Sequence, residues 1–328
     1  MSELLPVLQT LLADVDAGRP AALCAVVRTR GSTPQAPGAA LLVRSDLSTL
    51  GTLGGGCVEA EVRRRAFQML QDGQSGLLDY LLNHDYGWDD GLICGGRMYI
   101  AVMPFAAPRP ELLSAYRTAF DAARSRRPAT IPVVVEHEGA SQLYRVRLEV
   151  PPTLLIAGAG HVGAALARLA VGLDFHVVVI DDRADFASSD RFPGSVELIA
   201  GDIAGTLAKW PIDAGTYVVI VTRGHQHDHQ ALAAVIGADA GYIGLIGSKR
   251  KSRMILKDLA EAGAPAERVA AVRTPIGLPI GAVTVPEIAV SIVAELVQVR
   301  RQNAPALVEG PLGPGEAFGL AAPLAEGH

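Results

Sequence analysis

The sequence predicts two consecutive domains that mix helices with strands, the second of them an α/β domain built on a parallel sheet. Three observations lead to this prediction. The chain has 328 residues, which is enough for two separate hydrophobic cores. Pro151 and Pro152 stand in tandem and indicate an extended boundary. After that boundary, apolar strands alternate with helices, which is typical of a parallel sheet covered on both faces.

The composition excludes several classes of protein. Hydrophobic residues make up 49% of the chain and charged residues 19%, a globular balance. A net charge of -5 without long runs of Lys or Arg argues against binding to nucleic acid or to an anionic membrane. No segment reaches the ~18 apolar residues of a membrane span, and the N-terminus lacks the basic region of a secretory signal. We expect a cytoplasmic protein whose ligands are small molecules or other proteins.

The first domain, residues 1–107, is predicted to be α+β. Its predicted helices cover 4–15 and 58–70, and its predicted strands cover 21–28, 39–43, 77–82 and 98–103. A glycine loop, Gly51 to Cys57, leads into the second helix. Residues 108–150 are predicted to form a connector with one helix, 112–123, and a hairpin of strands 131–136 and 143–149.

The second domain, residues 151–303, is predicted to be Rossmann-like. Its strands are expected at 154–157, 176–180, 196–200, 217–221 and 242–246, its last helix at 286–301, and a flexible tail at 304–328. The segment Gly158-Ala159-Gly160-His161-Val162-Gly163 follows the first strand and opens a helix, the position at which a glycine turn binds a pyrophosphate. Asp181 stands about 20 residues further on, where a ribose-binding carboxylate belongs. Arg183 leaves a phosphorylated ribose open, and a Rossmann fold without a dinucleotide is the alternative.

Two further groups lie after strands of this sheet. Gly247, Ser248 and Lys249 follow the strand at 242–246, and a hydroxyl, backbone amides and a cation there suit phosphate binding. A solvent-exposed first turn of a surface helix is the alternative for each of them. The cluster His225, His227, Asp228 and His229 is compatible with a zinc site, but contact with a polar ligand or a surface position is favoured, since no known zinc motif surrounds it.

Two of the three cysteines adjoin glycines on loops. Cys57 follows Gly56 at the start of a predicted helix, whose positive dipole end stabilises a thiolate, and Cys94 precedes Gly95. Thiolates are soft ligands for metals and sulfur. The alternative is a small buried hydrophobic residue, which is the interpretation favoured for Cys24 inside an apolar strand.

Taken together, these motifs resemble the XdhC/CoxI family of accessory proteins, which mature molybdenum hydroxylases such as xanthine dehydrogenase. The motifs that carry the resemblance are, in chain order, Gly31-Ser32-Thr33-Pro34, Pro37-Gly38-Ala39, Gly51 through Glu59, Cys94-Gly95-Gly96, Gly160-His161-Val162-Gly163, Asp181 with Arg183, Tyr242-Ile243-Gly244, Ile246-Gly247-Ser248, Pro275-Ile276-Gly277-Leu278 and Pro286-Glu287-Ile288-Ala289. They span nearly the whole chain. The sequence departs from the family pattern at Arg223, where members commonly show His, and at Gln35, where many carry a basic residue.

The resemblance implies a bacterial chaperone that binds the molybdenum cofactor (molybdopterin), supports its sulfuration and inserts it into an apo molybdenum hydroxylase. A cysteine desulfurase-type sulfur donor is the second implied partner, and a homodimer is a candidate assembly. The function is then more that of a maturation factor than of a catalyst, so no catalytic residue is assigned and a metal site is left open. The candidate cofactor-binding residues are Gly54, Gly55, Cys57, Glu59, Cys94, Gly95, Gly158, Gly160, His161, Gly163, Asp181, Arg183, His225, Gly247, Ser248 and Lys249.

Two other functions remain open from the residues alone. The glycine turn with Asp181 is also typical of an NAD(P)-dependent oxidoreductase, although no proton donor with a partner can be singled out in the first domain. A nucleotide-sensing regulatory module without chemistry is the third hypothesis, and it predicts that replacing Cys57 or Cys94 leaves nucleotide affinity unchanged.

Overall fold

The computed structural model describes residues 4–82, 95–107, 109–302 and 304–312. The chain divides into two compact units. Unit 1 comprises Met1–Val150 together with Pro305–His328, and unit 2 comprises Pro151–Ala304. Within these described ranges, no helix has both the length and the apolar character needed to cross a bilayer.

A five-stranded antiparallel sheet forms the centre of unit 1. Its strands are β1 (Ala21–Arg30), β2 (Ala40–Arg44), β3 (Thr49–Gly51), β4 (Gly76–Leu81) and β5 (Arg97–Phe105), in the order β3-β2-β1-β5-β4. The central strand β1 is buried on both faces over its first seven residues. This explains why its sequence is a continuous apolar run rather than an alternation of apolar and polar residues.

Three helices cover the two faces of this sheet. They are α1 (Leu4–Asp16), α2 (Gly56–Asp72) and α3 (Pro110–Arg124). Leu8 of α1 and Tyr116 of α3 belong to one hydrophobic core, and Val62 of α2 belongs to the core on the opposite face. Cys24 lies in the second core, where burial raises the pKa of its thiol, so it is a small buried hydrophobic residue.

The predicted connector is an integral part of unit 1. Strands β6 (Ala129–His137) and β7 (Ala140–Leu148) form a hairpin whose Ile131 and Val133 share a core with α1 and α3. The strands predicted at 131–136 and 143–149 correspond to β6 and β7. The hairpin is part of unit 1 because a hairpin with one apolar face must bury that face against another element.

Residues 304–312, the described part of the predicted flexible tail, contain a strand. Residues Val308–Leu312 form β13, which pairs with β7 to complete a sheet of order β13-β7-β6. The edge of β7 carries unpaired backbone groups that this strand satisfies. Its Pro and Gly content concealed it in the sequence, because both residues are depleted in strands.

Unit 2 has the predicted Rossmann-like parallel sheet. Its strands are β8 (Thr153–Ala157), β9 (His176–Asp181), β10 (Glu197–Ala200), β11 (Thr216–Ile220) and β12 (Tyr242–Leu245), in the order β10-β9-β8-β11-β12. The direction of chain progression reverses between β8 and β11. At such a switch point, ligands bind beyond the carboxyl ends of the strands.

Helices cover both faces of the parallel sheet. They are α4 (His161–Val171), α5 (Ile203–Lys209), α6 (His225–Val235), α7 (Lys249–Glu261), α8 (Ala266–Ala271) and α9 (Val285–Gln302). Leu166 of α4 and Leu296 of α9 belong to one core, whereas Leu207, Leu232 and Ile255 of α5, α6 and α7 belong to the other. This confirms the predicted fold class, and it places the first turns of α4, α6 and α7 at the carboxyl edge of the sheet.

Candidate functional site

The glycine turn between β8 and α4 is shaped by close backbone contacts. A Cβ at Gly158, whose φ is +117°, would lie 2.5 Å from the carbonyl oxygen of Val221, and a Cβ at Gly163 would lie 2.0 Å from the carbonyl oxygen of Gly158. A Cβ at Gly160 would meet no atom within 4 Å. The turn therefore packs tightly against β11 and α4, and only Gly160 faces open space, where a ligand can approach the helix N-terminus. His161 is the exposed first residue of α4.

Asp181 ends β9 and is buried beneath the side chain of Arg183. Its carboxylate accepts hydrogen bonds from the amide of Ala159 (2.7 Å), the amide of Arg183 (3.0 Å), and Nε and Nη2 of Arg183 (2.8 and 2.9 Å). Burial works to raise the pKa of Asp181, but the hydrogen bonds from Arg183 and the two amides outweigh it and lower the pKa to about 2. Asp181 therefore ties the glycine turn to β9 as a carboxylate at neutral pH.

A second ion pair crosses the carboxyl end of β8. Nη2 of Arg223, which follows β11, lies 2.7 Å from Oδ2 of Asp182, which follows β9. Because β8 lies between β9 and β11, this pair joins the two strands that flank the glycine turn. Nε of Arg223 also donates to Nε2 of His227 at 3.4 Å. Arg223, the departure from the family pattern, thus stands at the switch point.

A buried carboxylate on α6 holds a lysine of α7 at the same edge. Asp228 is 0% exposed, accepts a hydrogen bond from the hydroxyl of Thr222, and has Nζ of Lys251 at 2.7 Å. The stem of Lys251 runs close to Gly247, since a Cβ on that glycine would lie 3.6 Å from its Cδ. The ammonium of Lys251 is thereby fixed beside the end of β11. Among the described residues it donates one hydrogen bond, to Asp228, which leaves two N–H donors for other partners.

The other candidates of this edge are placed differently. Ser248 caps α7 by accepting from the amide of Lys251 at 3.3 Å, and Lys249 and His225 are exposed first residues of their helices. The sequence favoured Lys249 because it is nearest to the strand end. It could not single out Lys251, because the partner Asp228 lies 23 residues earlier and meets it only across α6 and α7.

The glycine loop of unit 1 is organised by the carboxylate of Glu59. Oε2 of Glu59 accepts from the amides of Leu53 (2.8 Å) and Gly55 (3.1 Å) and from the hydroxyl of Thr52 (2.8 Å). Burial works to raise the pKa of Glu59, but these hydrogen bonds outweigh it and lower the pKa. Glu59 therefore shapes the loop from within the first turn of α2, and the same carboxylate was a candidate ligand contact in the sequence.

Three glycine segments of unit 1 meet around residues 31–34. A Cβ at Gly54 would lie 2.5 Å from Cβ of Pro34, and a Cβ at Gly96 would lie 2.0 Å from the carbonyl oxygen of Ser32. Ser32 also pairs with Gly95 in an isolated β-bridge. The segment thus brings together two loops that are about 40 residues apart in sequence. Cys94, the residue before Gly95, lies outside the described residues.

Cys57 occupies the second position of α2. It is partly buried, and Gly55 and Gly56 before it have positive φ values of 73° and 65° with no atom within 4 Å of an added Cβ. The backbone before the thiol is therefore open on the side that a side chain would otherwise cover. In the part of the chain that the structure describes, no group of three or more His, Cys, Asp or Glu side chains is arranged to hold a metal ion.

Two family models match the chain, one in each unit. Residues 15–81 match the model described as the XdhC and CoxI family, and residues 154–296 match the model described as the XdhC Rossmann domain. The matched ranges contain the glycine loop with Cys57 and Glu59, and the glycine turn with Asp181 and Arg183.

Curated relatives extend over most of the chain. Over 287 residues it is 30% identical to an Escherichia coli K12 protein named uncharacterized protein YqeB, covering 87% of this chain but only 44% of that relative's length. It is 26% identical to a Bacillus subtilis 168 protein named as a probable xanthine dehydrogenase subunit, over 87% of this chain and 94% of that protein. It is also 26% identical to the molybdenum cofactor insertion chaperone PaoD of Escherichia coli K12, over 86% and 84% of the two chains.

A solved structure shares the fold. A crystal structure described as a xanthine dehydrogenase from Bacillus halodurans superposes with a TM-score of 0.75 at 25% sequence identity, over 93% of this chain and 98% of that one. The two family models, in the order that the motifs predict, and the likeness of fold over nearly the full length agree with each other. The chain belongs to the XdhC and CoxI family.

Proposed function

We propose that this protein binds the molybdenum cofactor and delivers it to a molybdenum hydroxylase of the xanthine dehydrogenase type. The observation that carries the proposal is the placement of Cys57 on the first turn of α2, behind a loop whose open glycines leave room for a ligand. Similarity to a protein named molybdenum cofactor insertion chaperone supports it. The activity, client and partners of the relatives are carried to this chain as part of the proposal.

The residues of unit 1 fit a molybdenum–sulfur group. A thiolate at Cys57 is a soft donor, and the loop amide of Gly56 and the positive end of the α2 dipole favour an anionic ligand. The amide of Gly54 donates to the hydroxyl of Thr52 and so supports the shape of the loop. Glu59 keeps this arrangement in place by holding the loop amides of Leu53 and Gly55. Protection of the cofactor while its terminal sulfur is installed, by a cysteine desulfurase-type donor, belongs to the same proposal, with Cys94 and Gly95 as further candidate contacts.

Unit 2 is assigned the phosphate-bearing end of a ligand. Gly158, Gly160 and Gly163 form the cradle, and His161, His225, Gly247, Ser248 and Lys249 line the carboxyl edge as candidate contacts. Lys251 joins them, because Asp228 fixes its ammonium beside β11. The ligand of unit 2 is either a phosphate-bearing form of the molybdenum cofactor or a separate nucleotide such as NAD(P).

Metal content of the purified protein tests the proposal. The full chain is isolated from a host that makes the molybdenum cofactor, and bound molybdenum and pterin fluorescence are measured for the native protein, Cys57→Ser and Cys24→Ala. Cys24→Ala is the matched control, because Cys24 is buried in the core away from any loop. We expect a loss of ~10-fold or more for Cys57→Ser alone, since loss of a metal-site residue costs at least that much affinity.

Two results would overturn the proposal. The first is a native protein without molybdenum or pterin that also takes up none on reconstitution. The second is an equal cofactor content in the native protein and Cys57→Ser. Sedimentation of the native protein in the same preparations measures whether it is the homodimer that the family resemblance suggests.

An NAD(P)-dependent oxidoreductase is the second candidate function, and the Rossmann strand order with the open Gly160 favours it. It predicts hydride transfer to a small substrate in addition to dinucleotide binding. Binding of NADH or NADPH without turnover, in a preparation that carries molybdenum, supports the maturation role, whereas turnover without molybdenum supports the oxidoreductase.

A further inference from the structure

We infer that unit 2 selects a nucleotide whose ribose carries a phosphate, and that Arg183, not Asp181, is the residue that reads this group. The inference rests on the part of the proposed function that gives unit 2 a nucleotide ligand. It concerns the ligand class that the end of β9 accepts, which the Rossmann fold alone leaves open.

The acceptor positions of Asp181 are already filled. A carboxylate offers about four lone-pair positions, and Asp181 receives four hydrogen bonds from the protein, one from Ala159 and three from Arg183. Its side chain is only 2% exposed. A ribose with two free hydroxyls would therefore gain an acceptor at this position only by breaking a charge-assisted pair, which is stronger than the neutral bond that it would form.

The group that a ligand meets at the end of β9 is a guanidinium. The side chain of Arg183 is 30% exposed, and its Nη1 donates no hydrogen bond within the described part of the chain. The carbon Cζ of Arg183 lies 3.6 Å from the ring centroid of Phe186, so the plane of the fork is held by stacking on one side and by Asp181 on another. A fixed fork with spare N–H donors matches a phosphate better than a neutral diol.

The neighbouring charges do not oppose a phosphate here. The remaining carboxylate at this strand end, Asp182, is paired with Arg223 at 2.7 Å. Arg223 reaches it from the end of β11, so a second cation lies at the same edge of the sheet. The carboxylates of Asp181 and Asp182 are thus paired with the guanidinium groups of Arg183 and Arg223. In the pair with Asp181, the more exposed member is the cation Arg183.

Nucleotide affinities of the full-length protein test the inference. Binding of NADPH, NADH, adenosine 2′,5′-bisphosphate and 5′-AMP is measured by calorimetry for the native protein, Arg183→Met, Arg183→Lys and Arg191→Met. We expect the native protein to prefer each 2′-phosphorylated member by ~10-fold or more, because a charge-assisted hydrogen bond contributes about that factor. Arg191→Met is the matched control, since Arg191 contacts the same Phe186 ring without touching Asp181.

The variants separate ligand recognition from a structural role. Arg183→Met frees the two acceptor positions of Asp181 that the guanidinium fills, so the preference of this variant should invert towards NADH, which mere loss of stability would not cause. Arg183→Lys keeps a cation beside Asp181, so its preference for NADPH over NADH should fall without inverting. This variant also tests the inference if Arg183→Met does not fold. Arg191→Met should keep the native ratio.

Three outcomes would overturn the inference: equal or tighter binding of NADH by the native protein, an unchanged NADPH preference in Arg183→Met, and no binding of any of the four nucleotides. Molybdenum and pterin content is measured in the same preparations. If molybdenum is retained and any of these outcomes is found, the inference about the nucleotide class is wrong and the cofactor-binding role stands. If molybdenum is absent and the expected affinity ratios are found, the cofactor-binding role is wrong and the inference about the nucleotide class stands.

Discussion

The glycine loop of unit 1 and the glycine turn of unit 2 are both held by hydrogen bonds to a carboxylate, but the donors of these bonds differ. Each leads into a helix N-terminus. A single carboxylate holds two backbone amides of the loop in unit 1 and one amide of the turn in unit 2. The hydrogen bonds to Glu59 come from two amides and a hydroxyl, all neutral donors. Asp181 is bound by two amides and the guanidinium of Arg183.

This difference separates two tasks of a carboxylate. Glu59 shapes the loop that precedes Cys57 and is bound by neutral donors alone, whereas Asp181 shapes its turn and is bound by the guanidinium of Arg183 as well. Glycine is required differently as well. A Cβ added at Gly54 would clash with the side chain of Pro34. A Cβ added at Gly163 would clash with the backbone of Gly158, which cannot move without separating β8 from α4.

The largest effect should follow from a methyl group at Gly163. Gly163→Ala places Cβ 2.0 Å from the carbonyl oxygen of Gly158, so helix and strand must separate, and we expect a loss of ~3 to 5 kcal/mol in the free energy of unfolding. Gly160→Ala, with no atom within 4 Å of its Cβ, should change stability by less than ~0.5 kcal/mol and weaken nucleotide binding. Denaturant unfolding of both variants measures the difference; similar stabilities would contradict the packing role of Gly163.

The two carboxylates should differ in their effect on stability. Asp181→Ala removes four hydrogen bonds, including those of a buried ion pair, and should cost ~2 to 3 kcal/mol, discounted because Arg183 is partly exposed. Glu59→Ala loses three bonds from neutral donors and should cost ~1 to 2 kcal/mol. Asp182→Ala is the control, since its pair with Arg223 is exposed and contributes ~0.5 kcal/mol or less.

Hydrogen exchange locates each loss. In Asp181→Ala, faster exchange should appear in the peptide spanning β8 and α4, and in Glu59→Ala it should appear around residues 52–60. Exchange that rises equally in both regions with either variant would mean that these carboxylates do not act locally.

The fold was predictable from the sequence where one short-range pattern determines an element. The glycine spacing after an apolar strand predicts the turn after β8, and the continuous apolar run at 21–28 predicts the buried strand β1. Strand β13 was not predictable, because its pairing with β7 depends on an edge some 160 residues earlier in the chain. Local propensity carries no information about such an edge.

For the candidate site, the sequence could name positions but not the contacts that their side chains make. Asp181 stands where a ribose-binding carboxylate belongs, yet the structure fills its acceptors with Arg183, which only side-chain geometry can reveal. Lys251 was overlooked in favour of Lys249 because its position depends on the buried Asp228. In both cases a pairing between side chains, rather than a residue type, decides the role.

The lysines of α7 test this point directly. Lys251→Met leaves the hydroxyl of Thr222 as the one side-chain partner of the buried Asp228 within the described part of the chain. It should cost ~1 to 2 kcal/mol of stability, a value kept low because the lysine itself is partly exposed. It should also weaken ADP binding. Lys249→Met, the matched control on the exposed first turn, should change stability by less than ~0.5 kcal/mol. Equal effects of the two substitutions on ADP affinity would contradict the proposal that Lys251 contributes more than Lys249 to phosphate binding.

The last prediction concerns acid stability at Asp181. Because the folded-state pKa is about 2 and an unpaired Asp titrates near ~3.9, the unfolded state binds the proton first as pH falls. The stabilisation is therefore complete above about pH 4 and is lost between roughly pH 4 and pH 2, with a slope of at most ~1.4 kcal/mol per pH unit. Asp181→Asn lacks this titration, so its free energy of unfolding should fall less than that of the native protein between pH 5 and pH 3.

Glu59→Gln in the same measurement reports the other carboxylate, whose pKa is also lowered, and it should likewise reduce the acid dependence. If Asp181→Asn and the native protein lose stability equally over this range, the ion pair with Arg183 does not hold Asp181 ionised in the folded protein, and the distinction between the two carboxylates fails.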